Sequence, residues 1–436
     1  MSTSLESLLN DGRVTRGGFL RALGGATVLS MPGVLAACGT SSGGGNGTLR
    51  MIGVADQRPP LQALAAAYAK QHSDTKFKTS YAPTDQVQTS VRAQLGAGNP
   101  PDIHVVYPGS GSAMSMAEIV KAGLLTDLSD QSWTKLIPKS LAPAYKIDGK
   151  TYIYSAGSTA IGAIYNKKAF AKAGIDAPPT NWDELLEVCA KLKKAGIAPI
   201  ALGAQTPWVT QLITYALVPS TVYAKDPTFD EKQQAGQASF ADSGWRQAME
   251  MYLELQKRGF FNPNPNGTTF EQQTSMVGTG KAGMAVQVSA VLSGFRDAAS
   301  SPSDVGMFPF PGGQTAEETW IPAGAVVGLG VSAKAKEPEK AKAFIEYLGQ
   351  QGSIDRWSQL VAAIPMHEGA NSKIDPDLKS FLPFVKANKA VPFMDQRWPN
   401  AEVQPVHFEV VQELLGGKTS IDSALKKMDD AYAKKA

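Results

Sequence analysis

The sequence predicts an α/β protein built as two domains. Three observations carry this. A β-α-β-α-β alternation opens the body of the chain between Leu49 and Tyr107. A second alternation of the same kind follows Gly157. The chain has 436 residues, too many for one compact core. Strands alternating with helices imply a mostly parallel sheet covered on both faces.

The elements follow in order. Leu49 to Val54 reads as a first strand. Pro59 and Pro60 open a helix, where proline costs nothing at the first turn. Its Leu61, Leu64, Ala65 and Tyr68 share one helical face. Lys76 to Tyr81 is a second strand. Thr84 caps a helix that runs to Leu95, and Gly96-Ala97-Gly98-Asn99-Pro100 stops it. Asp102 to Tyr107 is a β-branched third strand. In the second half, strands are expected at Gly157–Tyr165, Ile197–Leu202, Met284–Val288 and 326–331. Helices are expected from Thr180 or Asn181 to Lys194, then around 208–217, 243–258 and 271–278. Pro338 opens an amphipathic helix with Ala341, Phe344, Ile345 and Leu348 on one face. Two helical stretches, 403–415 and 420–434, end the chain.

The first 48 residues read differently. Arg13, Arg16 and Arg21 precede an uncharged, Ala- and Gly-rich stretch from Ala22 to Ala37. A membrane span needs roughly 20 apolar residues, and this stretch is shorter and broken by glycine. A charged start, a short apolar core and small residues before a cut site make an export signal, residues 1–37. Leu35-Ala36-Ala37-Cys38 resembles a bacterial lipobox, which implies that Cys38 carries a diacylglycerol thioether and becomes the mature N-terminus. Residues 38–48 would then be the lipidated cysteine and a flexible tether, GTSSGGGNG. Thr15 to Arg21 also resembles a twin-arginine export motif, with Gly17 where a second arginine is expected. Export through that system and general secretion both stay open.

Composition excludes several classes. A formal charge of +3 is too small to point to nucleic acid. If Cys38 is lipidated, the other cysteine, Cys189, has no partner and reads as a buried thiol. The motif Gly39-Thr40-Ser41-Ser42-Gly43 matches a nucleophile elbow but sits in the tether, without strand or helix around it. Asn262 to Gly267 mimics a calcium loop without carboxylates at the ligand positions. His72, His104, His367 and His407 lack metal-ligand spacing. No catalytic residue, metal or cofactor is expected.

Five segments, in order, resemble the extracellular solute-binding proteins of ABC importers, the large type that includes sugar-binding members. They are Gly98 to Ile103, Tyr165 to Phe170, Thr180 to Leu185, Gly280 to Met284, and Gly328 to Ser332 with the helix after it. The resemblance implies a two-lobed periplasmic-binding-protein-like fold with hinge crossings and a ligand cleft between the lobes. The expected division is 49–160 plus 288–335 for the N-terminal lobe and 161–287 plus 336–436 for the C-terminal lobe. Crossings are expected near 155–165, 287–292 and 330–340. The implied function is capture of a small polar solute, above all a sugar or oligosaccharide, for delivery to the transmembrane subunits of an ABC permease. A monomer held to the membrane by its lipid is expected. A lipid-anchored glycan-processing enzyme and a sensor or adhesion module on the same fold are the alternatives.

Sugars present apolar C–H faces and many hydroxyls, so their sites pair flat rings with polar groups. Strand ends and interlobe loops therefore supply the candidates. Trp208, Trp320, Trp398 and Tyr107 are the candidate platforms. Asp56, Gln57, Asp395 and Arg397 are the polar candidates. Gln287 and Ser289 lie beyond the Gly-Lys-Ala-Gly-Met strand, where the family places ligand contacts. Packing of loops is the alternative for the rings, and plain solvation for the charges.

Overall fold

The computed structural model describes residues 47–137, 142–325, 327–365 and 374–434. Cys38 and the expected signal and tether lie outside these residues. Two separate hydrophobic cores organise the body of the chain.

The first core surrounds a four-stranded sheet, in the order Gly328–Val331, Ile103–Val106, Thr48–Val54, Lys76–Ala82. The last three are parallel, and Gly328–Val331 runs antiparallel to Ile103–Val106. Helices Arg58–Gln71 and Thr84–Gly96 make the crossovers. The Asp102 carboxylate is fully buried and accepts from the backbone N–H of Arg50 at 2.8 Å and of Glu337 at 3.4 Å. It pins the first strand to the start of the helix Pro338–Leu348. That helix brings Phe344 against Tyr68 and Phe77, with ring centroids 5.3 and 4.7 Å apart.

The second core surrounds a mixed sheet centred on the long strand Gly157–Asn166. Ala282–Val288, Val305–Phe308, Ile321–Gly324 and Ile364–Pro365 all pair antiparallel with it. Ala198–Ile200 runs parallel to Ala282–Val288. Helix Trp182–Lys194 begins at Asn181, whose side chain accepts from the Glu184 N–H at 2.9 Å. Helices Val403–Leu415 and Ile421–Tyr432 pack here as well.

The two cores group residues differently from the expected lobe division. Val291, Leu292, Phe295, Val305 and Met307 belong to the second core, because Val305–Phe308 is a strand of its sheet. Ala341, Phe344, Ile345 and Leu348 belong to the first. Core membership changes between Ala156 and Ala160, between Ile321 and Ala325, and again between Val361 and Ile364. Only the first of the three expected crossings falls at such a change. The expected crossing near 330–340 lies within the first core, whereas Ala290, at the crossing expected near 287–292, packs against both cores.

Candidate functional site

A cavity of about 1320 Å³, counting the space open at its mouth, lies where residues of the two cores face each other.

The first lobe supplies one wall from the carboxyl ends of its parallel strands, where ligands seat in α/β sheets. Asp56 and Gln57 come from the single turn Ala55–Gln57 that follows the first strand. Gln57 is held there by the Val54 N–H, which donates to its Oε1 at 3.3 Å. Thr84, Asp85 and Gln88 come from the first turns of Thr84–Gly96, and Tyr107 and Ser112 from the loop after Ile103–Val106.

The second lobe supplies the opposite wall. Helix Pro207–Val218 starts on a proline and presents Trp208, Gln211, Leu212 and Tyr215 to the cavity. These stand at i, i+3, i+4 and i+7, one face of a helix. Gln404 and Phe408, four apart, do the same on Val403–Leu415. Phe393, Asp395 and Gln396 complete this wall. Gly157, Thr159, Trp357, Val361 and Ala363 line the cavity where the chain changes cores.

Burial sets the electrostatics. It pushes the Asp56 carboxyl up to about 6. It also pushes Asp395 up to about 6, against the pull of the neighbouring Tyr215 hydroxyl. The Tyr107 hydroxyl is pushed up to about 12 by burial, with Gln88 and Thr84 opposing. Three polar atoms of lining residues are buried without a hydrogen-bond partner: Ser112 Oγ, the Tyr215 hydroxyl and Gln396 Oε1. Asp395 and Gln404 approach the Tyr215 hydroxyl, but neither closes a well-formed bond with it. Buried polar atoms cost free energy unless paired, so these three carry an unmet demand for a hydrogen-bond partner. Among the described residues no group of His, Cys, Asp and Glu is placed to hold a metal.

The cavity gathers Asp56, Gln57, Tyr107, Trp208 and Asp395 of the expected site residues. The other five stand elsewhere. Gln287 is fully buried and donates to Gln273 Oε1 at 2.7 Å, and Gln273 in turn donates to the Ala201 carbonyl at 2.8 Å. Ser289 Oγ donates to the Ala362 carbonyl at 2.8 Å and accepts from the Ala160 N–H at 3.3 Å. Gln287 ties its strand to helix Phe270–Gly278, and Ser289 ties the turn Ser289–Val291 to Ala160 and Ala362. Trp320 is half-buried, its backbone N–H held by Ser220 Oγ at 2.9 Å. Arg397 turns from the cavity to Asp230, at 2.6 Å. Trp398 is 2 % exposed and packs among Trp245, Phe240, Tyr215 and His407.

The description "bacterial extracellular solute-binding protein" matches residues 54–353, most of both lobes. The chain belongs to this family. The solute-binding protein is 26% identical over 395 residues to an uncharacterized ABC transporter extracellular-binding protein of Pyrococcus horikoshii, covering 85% of each chain. It is 23% identical over 385 residues to the melibiose/raffinose/stachyose-binding protein MelE of Bacillus subtilis, covering 86% of each. Among solved structures it is similar to a chitin oligosaccharide binding protein, with a TM-score of 0.76 at 24% identity over 88% of this chain and 98% of that one. These relatives are binding proteins by name, and the family is extracellular. Among the described residues no helix is long and apolar enough to cross a membrane.

Sequence reasoning missed much of the solute-binding protein's cavity. Gln211, Leu212, Tyr215, Trp357, Phe393, Gln396, Gln404 and Phe408 all line it. For the first three a signal existed, since they share a helical face with Trp208. Gln211 and Tyr215 are also polar groups in a helix whose only other polar side chains are Thr210 and Thr214.

Proposed function

We propose that this chain is the lipid-anchored substrate-binding component of an ABC importer. It binds a sugar or oligosaccharide between its lobes and delivers it to the transmembrane subunits of a permease. One observation carries the reading. The cavity wall combines rings (Tyr107, Trp208, Tyr215, Trp357, Phe393 and Phe408) with carboxylates, amides and hydroxyls drawn from both lobes. Rings stack on the apolar faces of pyranoses, and the polar groups meet hydroxyls in a directed way. The similarity to a melibiose/raffinose/stachyose-binding protein supports the same class. A site walled by two lobes favours a closed bound form and an open free form. The lipobox at Cys38 supports mooring on the outer face of the membrane, and stable mooring takes two acyl chains or their equivalent.

Calorimetry against raffinose, stachyose, melibiose and chitin oligosaccharides tests the ligand class. Saturable binding with the sugar recovered intact is the expected result. Absence of binding to any sugar at millimolar concentration, or hydrolysis of the sugar, would overturn the reading.

A further inference from the structure

The charge of the cavity runs against the charge of the chain. The chain carries a formal +3. Yet the described residues lining the cavity include three carboxylates, Asp56, Asp85 and Asp395, and no Lys, Arg or His. None of the three forms an ion pair among the described residues. Two nearby cations are engaged elsewhere. Arg397, beside Asp395 in sequence, is held by Asp230 at 2.6 Å. Arg58, beside the Asp56 turn, lies over the Tyr81 ring, 5.5 Å from its centroid.

The neutral polar groups add to this bias. Gln396 Nε2 donates to the Ala325 carbonyl at 2.6 Å, so the atom it leaves unpartnered is the acceptor Oε1. Gln396 is 8% exposed and Ser112 5%. Once ionised, the carboxylates can only accept hydrogen bonds, as can Gln396 Oε1, whereas the Ser112 and Tyr215 hydroxyls can do either. A sugar hydroxyl satisfies an acceptor. A ligand carboxylate or phosphate sets lone pair against lone pair and charge against like charge.

We infer that the cleft selects by charge: it takes uncharged, hydroxyl-rich oligosaccharides and rejects their acidic counterparts, with Asp56 of one lobe and Asp395 of the other as the discriminating groups. The inference rests on the oligosaccharide reading above. Two like charges about 5 Å apart, at an effective dielectric near 20, repel strongly enough to weaken binding by roughly 100-fold or more.

The test uses the full chain, purified in detergent, and two pools matched in length. One holds neutral oligosaccharides (raffinose, stachyose, cellotriose, chitotriose). The other holds acidic ones (trigalacturonate and 6-phosphorylated cellotriose). Native mass spectrometry reads which are retained, and calorimetry gives each affinity. Retention from the neutral pool alone, with acidic members at least 100-fold weaker, is expected. Asp56→Asn and Asp395→Asn should each narrow that gap by about tenfold or more, and Asp395→Glu should keep it. Comparable retention of acidic and neutral members overturns the inference and leaves the sugar reading standing. An unchanged gap in Asn variants that melt as the wild type also overturns it. Retention from neither pool overturns both. The wild-type comparison decides the charge rule even if an Asn variant fails to fold.

Discussion

Trp208 and Trp398 are both tryptophans in polar sequence settings, yet the fold gives them opposite tasks. Trp208 is half-buried, packs against Phe270 with centroids 5.0 Å apart, and leaves the rest of its ring to the cavity. A large aromatic side chain offers about 150–250 Å². If a pyranose covers about 100 Å² of it, the loss on truncation is about 2.5 kcal/mol at 25 cal/mol/Å². That is roughly a 60-fold fall in affinity. Because the ring is only half-buried, Trp208→Ala should lower stability by about 1 kcal/mol. Trp398 has no such exposure. Trp398→Ala opens a cavity in the cluster formed with Trp245, Phe240 and His407 and should cost about 3–5 kcal/mol of stability. Urea denaturation and calorimetry on the same preparations separate the two. A Trp208→Ala protein that melts normally and binds within threefold of wild type would refute the platform argument. So would a Trp398→Ala protein of wild-type stability.

Three further outcomes follow from the same geometry. Burial raises Asp395 from 3.8 to about 6, so the native state holds this proton longer than the unfolded chain. Its contribution to stability is full below about pH 4 and is lost as pH rises through about 6, by at most about 3 kcal/mol; Asp395→Asn should match wild type in urea at pH 4 and exceed it at pH 7.5, and equal stability at both would contradict this. A Cβ at Gly111 would stand 2.1 Å from the Asp395 carbonyl oxygen and 2.9 Å from Trp398 Cβ. Gly111→Ala should therefore push the 107–112 loop off the segment it rests on, cost about 1–3 kcal/mol, and enlarge the ligand-bound radius of gyration in small-angle scattering; an unchanged radius and stability would count against a tight contact there. Cys38→Ser should move the protein from washed membranes to the soluble fraction, and its retention would sink the lipid anchor.

Most secondary structure was legible because its signals are local. The apolar face of Arg58–Gln71, the proline at the start of Pro338–Leu348 and the Asn181 cap all lie within a turn of the boundary they set. The lobe boundaries were not legible in the same way. Val305–Phe308 joins the second sheet only by pairing with Tyr165 and its neighbours, more than a hundred positions earlier. The apolar stripe of Pro338–Leu348 says that the helix packs, and nothing in it says that Tyr68 and Phe77 are the partners.

The site divides along the same line. Gln287 sits on a strand buried on both faces, so alternation along the strand does not tell which side meets a cavity. Residues 395–398 are sharper still. Asp395, Arg397 and Trp398 read alike as candidates in sequence, and Gln396 between them is passed over. A single turn of 3-10 helix, Met394–Arg397, then sends Asp395 and Gln396 into the cavity, Arg397 to Asp230, and Trp398 into the core. The turn decides which of them meets a ligand, and the turn is set by contacts with Gly109, Gly111 and Ala325 of the other lobe. Each wall of the cleft is therefore written locally, as in the i, i+3, i+4, i+7 face from Trp208 to Tyr215. Which wall faces which is written only in the pairing of strands and crossings that brings the two lobes together.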